Sequence, residues 1–300
     1  MRYAMIRTED LSKTYRGRLG VKGITLEVEP GEIFGYLGPD GAGKTTTIRL
    51  LLDFIRPTSG HIQILGLDHH LHSVKIRSHV GYLPGEFTLY DHLTGEKVLR
   101  YLSRLRGGVA WQDVINLVER FDLNIQRKLN AMSASDKCKL GLVQAFMHRP
   151  DLLILDDPSR ALNAAGQAVL YDLLFEARSD GRSIFLASSS LTEMERIADR
   201  VAILYQGELL AIERGVQLRS RALRRVEMRF ATPIHTDIFN GMRNLEEFRL
   251  NHQSLSCMVR GDPDNLIKTA NQYRLTDFVS QALTLDEAVQ FYYGVNGHVV

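Results

Sequence analysis

The feature that most constrains this sequence is a glycine-rich loop between an apolar segment and a helical pattern. Residues 38–45 read Gly-Pro-Asp-Gly-Ala-Gly-Lys-Thr. Residues 33–37 before the loop predict a buried strand, and residues 46–53 after it predict a helix. The glycines allow successive backbone N–H groups to turn inward around phosphate oxygens, where a Cβ would obstruct them. The spacing therefore predicts a phosphate-binding loop in an α/β fold.

Three further side chains complete the predicted phosphate site. Lys44 supplies a compact positive charge for phosphates, and Thr45 supplies a hydroxyl for Mg²⁺. The apolar run 152–155 is typical of a central parallel strand, and it ends in Asp156, a carboxylate suited to hold Mg²⁺ through water. The alternative is a chance glycine turn together with a strand end that carries two solvated acids. The strand, loop and helix in the right order favour the phosphate site.

Length and composition bound the class of protein. The chain has 300 residues, more than one domain usually needs, so two domains are expected. Apolar residues make up 44% and charged residues 24%, as in ordinary globular proteins. The net charge of +2 lacks the basic excess of a nucleic-acid binder, so nucleic acid is not expected as a partner. Two cysteines are too few for a disulfide framework and favour a reducing compartment.

Neither a signal peptide nor a membrane span is expected. The first ten residues have no apolar core of signal-peptide length, because charged residues interrupt them. No stretch reaches the roughly 18 uninterrupted apolar residues that a spanning helix needs. If a membrane is involved, another chain is expected to cross it.

Six landmarks in a fixed order make residues 5 to about 215 resemble the nucleotide-binding domain of ABC transporters, in the branch whose membrane subunit is a separate chain. The landmarks are Tyr15, residues 38–45, 81–86, 132–139, 152–163 and 193–201. The resemblance implies a P-loop NTPase fold over residues 1–215, with a helical subdomain at about 88–150. Amphipathic patterns over 94–106 and 111–121 fit that subdomain, the first with Leu105 on its apolar face.

The resemblance also implies residue roles. The family stacks an aromatic ring on adenine at the position of Tyr15, although a lone tyrosine is more often a packing residue. Thr45 and Asp156 are expected to hold Mg²⁺. The candidate nucleotide-binding residues are Tyr15, Gly38, Pro39, Asp40, Gly41, Ala42, Gly43, Lys44, Thr45, Thr46, Ser133 and Ser135.

One departure from the family lies in its signature, LSGGQ, which caps the γ-phosphate bound by another subunit. The matching residues 132–136 are Met-Ser-Ala-Ser-Asp, so the serine remains while both glycines and the glutamine are replaced. Glycines there permit close backbone approach to phosphate, and Asp136 adds a negative charge. Two interpretations remain open, weak phosphate capping through Ser133 and Ser135, or a divergent helix start capped by Ser133.

Further departures affect the positions expected to act in hydrolysis, which are Asp157, Ser189 and Glu86. Asp157 replaces a glutamate that polarises water and is one methylene shorter. Ser189 replaces a histidine, and Gly85 replaces a glutamine for which the adjacent Glu86 is a partial substitute. Asn163 replaces an aspartate. Because small misplacements of catalytic groups cost roughly a hundredfold in rate, slow hydrolysis is expected.

Residues 216–300 predict a small C-terminal α+β domain. Strands are expected at 226–230, 247–251, 255–259 and 277–281, and helices at 236–242 and 264–273, an order that resembles a ferredoxin-like split βαβ sandwich. Residues 284–287 form a capping box for a last helix. The arginines between 214 and 229 are interpreted as a solvated helix and linker, or alternatively as a contact with acidic lipid or a partner.

Two functions with the same fold follow from the resemblance. The first is the ATP-binding subunit of an ABC transporter, with ATP and Mg²⁺ as cofactors, slow hydrolysis and a separate transmembrane permease. The second is an ATP-gated regulatory or structural module with little turnover. Both imply a homodimer or a heterodimer with another ATP-binding subunit, at the cytoplasmic face of a membrane as a peripheral protein. A soluble ATPase that acts on DNA or ribosomes is a weaker alternative, because one nucleotide-binding domain is present.

Overall fold

The computed structural model describes residues 4–85, 92–215, 223–239, 242, 244–285 and 287–289. Within these residues the chain forms two compact units, Met1–Ile212 and Glu213–Val300. None of the helices in the described ranges is long and apolar enough to cross a membrane. The functional site lies in the first unit.

Ten strands of the chain form two sheets. They are β1 (Ile6–Tyr15), β2 (Arg18–Val28), β3 (Ile33–Leu37), β4 (Ser59–Ile64), β5 (Leu67–Asp68), β6 (Val80–Leu83), β7 (Leu152–Asp156), β8 (Ser183–Ser188), β9 (Arg200–Tyr205) and β10 (Glu208–Arg214). The larger sheet has the order β10-β9-β3-β8-β7-β6. In it β3 pairs in parallel with β8 and β9, and β7 pairs in parallel with β6 and β8.

The strands at the centre of the larger sheet are buried along their whole length and largely apolar. Every residue of β3, β7 and β8 is buried. This explains why their sequences are continuous rather than alternating, since parallel strands are covered on both faces. Phe34, Tyr36 and Phe185 pack together, with ring centroids of Phe34 and Tyr36 at 6.0 and 5.1 Å from that of Phe185. The core thus fixes the strand ends from which the site is built.

Seven helices accompany these sheets within the described residues. They are α1 (Lys44–Leu51), α2 (Ser73–Ser78), α3 (Gly95–Leu105), α4 (Trp111–Arg120), α5 (Ala134–Phe146), α6 (Ala164–Ser179) and α7 (Leu191–Ile197). Thr94 caps α3, because its Oγ1 accepts the N–H of Lys97 at 3.3 Å. The prediction that Leu105 lies on the apolar face is wrong. Its side chain is 65% exposed, because Ser103 occupies the buried side of the last turn and donates to the Val109 carbonyl.

The smaller sheet has the order β2-β1-β4-β5, and its pairs are antiparallel. Its first two strands form a hairpin in which Tyr15 pairs with Arg18. The turn between them contains Arg16 and Gly17, both with positive φ, which fits a tight hairpin turn. This hairpin carries Tyr15 to the edge of the sheet, beside the site described below.

The second unit contains one antiparallel sheet. Its elements are β11 (Leu223–Phe230), β12 (Leu245–Asn251), β13 (Ser254–Arg260), α8 (Asp264–Ala270) and β14 (Leu275–Ala282). The order β12-β13-β11-β14 places the first strand between the third and the fourth, as a split βαβ sandwich requires. Val226, Met228 and Phe230 of the first strand face a core that includes Leu266 of the helix.

Two local predictions for this unit have different outcomes. The prediction of an α-helix over 236–242 is wrong for its first four residues, because Thr236–Phe239 form a 3-10 helix. Asn240 and Gly241 follow, and both are residue types that end helices. The capping box is confirmed, because Thr284 Oγ1 accepts the N–H of Glu287 at 3.3 Å and Glu287 Oε2 accepts the N–H of Thr284 at 2.9 Å. Residues 216–222 of the basic stretch, with Arg219 and Arg221, lie outside the described residues.

Candidate functional site

Four parallel strands end at the same edge of the larger sheet, and the predicted site lies there. Leu37 pairs with Ser188, Asp156 with Ala187, and Leu83 with Leu155. The loops that follow these strands are therefore neighbours, although they are far apart in sequence. A crevice outside the carboxyl ends of parallel strands is the usual ligand position in open α/β sheets.

Two glycines of the phosphate loop are required by the surrounding backbone. A Cβ on Gly38 would lie 2.7 Å from the carbonyl oxygen of Leu204. A Cβ on Gly43 would lie 2.7 Å from the carbonyl oxygen of Gly20, and the φ of Gly43 is +105°. Gly41 differs, because its φ is +82° but a Cβ there would meet nothing within 4 Å. The loop therefore passes close to the protein on one side and faces open space at Gly41.

The ammonium group of Lys44 is buried inside this loop. Its Nζ donates to the carbonyl oxygens of Gly38 at 2.6 Å and Pro39 at 3.1 Å. It also lies 3.9 Å from Asp40 Oδ1 and 3.9 Å from Asp157 Oδ2. The side chain is only 6% exposed, so its charge is weakly screened by solvent. A cation held in this way at the start of α1 is suited to bind an anion.

Thr45 and Asp156 are in direct contact. Thr45 Oγ1 donates to Asp156 Oδ2 at 2.7 Å, so the hydroxyl and the carboxylate predicted to hold Mg²⁺ lie side by side. Burial raises the pKa of Asp156, the hydrogen bond from Thr45 opposes that rise, and the nearby charge of Asp157 adds to it. A divalent cation would compensate this buried carboxylate, which favours metal binding at the pair.

Asp157 follows in the turn after β7. Its φ is +47°, a left-handed conformation that aspartate tolerates better than most residues. The backbone N–H of Asp157 donates to the carbonyl of Ala187, and the N–H of Ser189 donates to Asp157 Oδ1 at 3.1 Å. The structure thus brings Ser189 to Asp157, but the contact is made by the Ser189 backbone. Glu86, the third residue predicted to act in hydrolysis, lies outside the described residues.

A cleft of about 660 Å³ joins these groups, a volume typical of small-molecule sites. Tyr15 lines one side with its ring partly exposed, and Lys13 Nζ lies 5.3 Å from the ring centroid. Gly20 lies directly behind the ring, since a Cβ there would come within 2.9 Å of Tyr15 Cε2. The predicted residues that line the cleft are Tyr15, Asp40, Gly41, Gly43, Lys44, Thr45, Thr46, Asp156 and Asp157.

Other predicted residues lie outside this cleft. Gly38 and Ala42 are loop residues that are buried against the protein, and the carbonyl oxygen of Pro39 accepts a hydrogen bond from Lys44. Ser133 and Ser135 do not line the cleft, because both belong to the start of α5. Ser133 caps that helix in a capping box, in which its Oγ accepts the N–H of Asp136 at 3.0 Å. The helix-start interpretation of Ser133 therefore has a direct structural basis.

Three charged residues of the site were not predicted from the sequence. Arg49 and Arg160 line the cleft, and Arg160 Nη2 lies 3.5 Å from Asp40 Oδ2. Glu193 is buried beside the end of β8, where Ser188 Oγ donates to its Oε2 at 2.6 Å and Tyr171 OH donates to its Oε1 at 3.3 Å. Burial raises the pKa of Glu193. The position of Arg160, three residues after Asp157 in the same loop, was a usable signal.

The arrangement fits a nucleoside triphosphate with Mg²⁺. Gly41 leaves space on the side of the loop that faces the cleft, Lys44 supplies a buried cation, and Thr45 and Asp156 supply adjacent oxygen ligands. Oxygen donors of this kind suit Mg²⁺, which is commonly held by one or two protein groups and by phosphates. The partly exposed ring of Tyr15 offers a flat apolar surface at the same cleft.

Comparison with known proteins agrees with this geometry. A family model described as ABC transporter matches residues 21–160. The ABC transporter ATP-binding protein YhcH of Bacillus subtilis (strain 168) is 34% identical over 212 residues, which cover 70% of each chain. The bacitracin transport ATP-binding protein BcrA of Enterococcus faecalis is 34% identical over 209 residues, 69% of this chain and 68% of the relative.

Solved structures share the fold of the first unit. The structure of an ATP-binding subunit of an ABC transporter has a TM-score of 0.65 and 28% identity, and covers 70% of this chain and 90% of that one. A dimeric ATP-binding cassette with bound ADP and Pi has a TM-score of 0.63 at 21% identity, with 70% and 98% of the two chains covered. With ATP and Mg²⁺ as its cofactors, the chain belongs to the ABC transporter family and is one of its ATP-binding subunits.

Proposed function

We propose that this chain binds Mg·ATP through the cleft of its first unit, hydrolyses it slowly and acts on a separate transmembrane permease. The observation that carries the proposal is a contrast within one site. Lys44 and the Thr45–Asp156 pair have the geometry that binding requires, whereas Asp157 and Ser189 differ from the family at the positions used for hydrolysis.

Each binding residue has a distinct role in this proposal. Lys44 contacts the β and γ phosphates, and the backbone N–H groups of the loop and of the first turn of α1 surround them. Thr45 and Asp156 orient Mg²⁺, which neutralises charge on the phosphate oxygens. The ring of Tyr15 supports the adenine.

Hydrolysis is slow because the groups around the attacking water are short or uncharged. Asp157 is a base whose carboxylate is held back by the N–H of Ser189 and by the nearby Lys44 ammonium. The Ser189 side chain cannot supply the charge or the reach of an imidazole. Gly85 provides no side chain toward the Asp156 carboxylate, which would lie 3.4 Å from a Cβ at that position. Several catalytic contributions are therefore weakened together.

The partners in this proposal are a permease and a second ATP-binding subunit, with the chain peripheral at the cytoplasmic face of the membrane. Support comes from the family and from the relatives named as transport ATP-binding proteins. Residues 82–93 are the proposed permease-facing stretch, of which 86–91 lie outside the described residues. The second subunit is either a copy of this chain or a related one.

The alternative function is an ATP-gated module that closes on nucleotide with little or no turnover. The same observations favour it, since binding and hydrolysis depend on separate residues. The capping box at Ser133 supports it further, because the hydroxyl of the serine that the signature stretch keeps already accepts a hydrogen bond within the helix.

Binding is tested by calorimetry of the full chain with Mg·ATP, in wild type and Lys44→Ala. We expect roughly a hundredfold weaker binding in the variant, because a buried charge that contacts phosphate is lost. Arg149→Ala is the control, since Arg149 forms an exposed ion pair with Asp180 away from the cleft. Equal affinity in wild type and Lys44→Ala would contradict the proposed site.

The membrane partner is tested by photocrosslinkers placed along residues 82–93 in native membranes. Capture of a polytopic membrane protein supports the transporter subunit, and capture of soluble proteins alone would overturn it. ATP turnover of the captured complex then separates the two functions, because the gated module predicts binding without measurable hydrolysis.

A further inference from the structure

Arg160 lies in the turn that follows Asp157 and reaches across the mouth of the cleft. Its backbone N–H donates to the carbonyl of Asp157 at 3.3 Å, which fixes the residue close to the end of β7. Its guanidinium reaches toward the phosphate loop, where Nη2 lies 3.5 Å from Asp40 Oδ2. Arg160 therefore spans the cleft from the side of Asp157 to the side of the loop.

The Asp40 carboxylate lies between two cations. Lys44 Nζ is 3.9 Å from its Oδ1, and Arg160 Nη2 is 3.5 Å from its Oδ2. Both distances are longer than a strong ion pair, and Asp40 and Arg160 are largely exposed. The carboxylate thus marks a position where oxygen atoms of an anion can be reached by Lys44 and Arg160 together.

The cleft has few other sources of positive charge. Among its described lining residues, the cations are Lys44, Arg49 and Arg160, against three aspartates. Arg49 lies on α1, and its charge opposes the rise that burial causes in the pKa of both Tyr82 and Asp156. Ser189 contributes no charge at the end of β8. Arg160 is therefore a second cation, besides the buried Lys44, that reaches a phosphate-loop residue from the side of Asp157.

We propose that Arg160 binds the terminal phosphate of ATP within its own subunit and makes the cleft prefer ATP to ADP. This inference rests on the proposed nucleotide site. The planar guanidinium can donate to two phosphate oxygens at once. Its contact with Asp40 is a single long one of 3.5 Å and does not use this bidentate geometry. Arg160 exchanges the single charge of Asp40 for the higher charge of a terminal phosphate when ATP binds. ADP lacks the γ-phosphate, so Arg160 keeps its contact with Asp40 when ADP is bound.

The test compares the affinities of the full chain for Mg·ATP and Mg·ADP by calorimetry. Arg160→Ala is expected to weaken ATP binding about tenfold and ADP binding less than about twofold, because a charge-assisted contact to the terminal phosphate is lost. Arg160→Lys is expected to retain part of the preference, since lysine keeps the charge without the bidentate geometry. Arg149→Ala, which removes an exposed arginine paired with Asp180, is the matched control and leaves both affinities unchanged.

The double variant Asp40→Asn with Arg160→Ala separates direct contact from neutralisation of Asp40. Direct contact predicts that the loss of ATP preference persists in the double variant. Restored preference in the double variant, or equal losses for ATP and ADP in Arg160→Ala, would overturn the proposal. Lys44→Ala identifies which idea fails. If it binds ATP like wild type, the nucleotide site itself is wrong, whereas a loss in Lys44→Ala with none in Arg160→Ala refutes the role of Arg160 alone.

Discussion

Two loops of the first unit correspond to glycine-containing phosphate contacts in this family, and they differ in this chain. The loop 38–45 keeps its glycines, whereas residues 132–136 have Ala134 and Ser135 in their place. At Gly43 the fold itself forbids a side chain, because a Cβ would collide with the Gly20 carbonyl. At Ala134 and Ser135 the chain forms the first turn of α5, where side chains are tolerated and stabilise the helix better than glycine.

The comparison separates two reasons for a glycine. Gly38 and Gly43 are demanded by the close approach of neighbouring strands, so their presence says as much about folding as about phosphate. Gly41 is different, because open space surrounds the position of its missing Cβ. At positions 134 and 135 the helix accepts side chains, and under the proposed function a glycine there would serve only a phosphate held by a second subunit. A chain that relies less on hydrolysis can therefore lose the second pair of glycines without harm to the fold.

The largest expected effect is from glycine substitutions that break this distinction. Gly43→Ala is expected to destabilise the protein by about 3 kcal/mol and to abolish ATP binding, because a strained φ of +105° combines with a backbone clash. Gly41→Ala is expected to cost about 1 kcal/mol of stability, from φ alone, and to weaken ATP binding. Urea unfolding and calorimetry measure the two quantities.

Gly17→Ala is the matched control for both glycine variants. Its φ is +84°, a Cβ there meets nothing within 4 Å, and it does not line the cleft. We expect Gly17→Ala to lower the free energy of unfolding by as much as Gly41→Ala does, and to leave the ATP affinity unchanged. Equal unfolding free energies for Gly43→Ala and Gly17→Ala would show that the close approach at Gly43 is unimportant.

An intermediate effect is expected when the altered loop is restored. The combined change Asp157→Glu, Ser189→His, Ala134→Gly and Ser135→Gly is expected to raise ATP turnover by roughly a hundredfold, and Asp157→Glu alone by less than about tenfold. Catalytic groups that act together are not additive, so the combination exceeds the product of the single effects. Steady-state ATPase of the reconstituted complex, with the partner subunit held constant, provides the measurement.

The double change Ala134→Gly with Ser135→Gly controls for the lower helix propensity of glycine in α5, and thermal unfolding shows whether the helix persists. Rapid turnover by the unmodified chain as a homodimer would contradict impaired hydrolysis. It would show that the altered residues represent divergence without loss of rate.

The smallest expected effect concerns Asp156 and pH. Burial raises the pKa of Asp156 above its ordinary value of 3.8, so the folded state holds the proton more tightly than the unfolded state. The contribution of this group to stability is therefore present at low pH and is lost as pH rises from about 3.8 through the raised pKa. Asp156→Asn is expected to stabilise the nucleotide-free protein at neutral pH by on the order of 1 kcal/mol.

Urea unfolding between acidic and neutral pH without nucleotide measures this difference. The gain from Asp156→Asn should shrink as the pH falls, and the variant should lose the stabilisation that Mg·ATP gives to wild type. Glu193, whose pKa is also raised by burial, is present in both proteins and cancels in the difference. A gain that is independent of pH would exclude ionisation of Asp156 as its cause.

Much of the fold could be predicted because its signals are local. The apolar run of β7, which ends in Asp156, and the glycine spacing before α1 identify elements whose conformation depends on adjacent residues. The order of strands in the second unit also followed from its pattern. Leu105 could not be placed, because the buried face of a last helical turn depends on what packs against it.

The sequence by itself predicted the phosphate loop, the candidate Mg²⁺ ligands Thr45 and Asp156, and the residues that differ from the family. Only the tertiary structure decided which of these residues meet. It joined Thr45 to Asp156 across 111 positions and Arg160 to Asp40 across 120, and it assigned Ser133 to a helix cap. The physical reason is that parallel strands from distant segments end at one edge of a sheet, and their pairing is set by the buried core that all segments share.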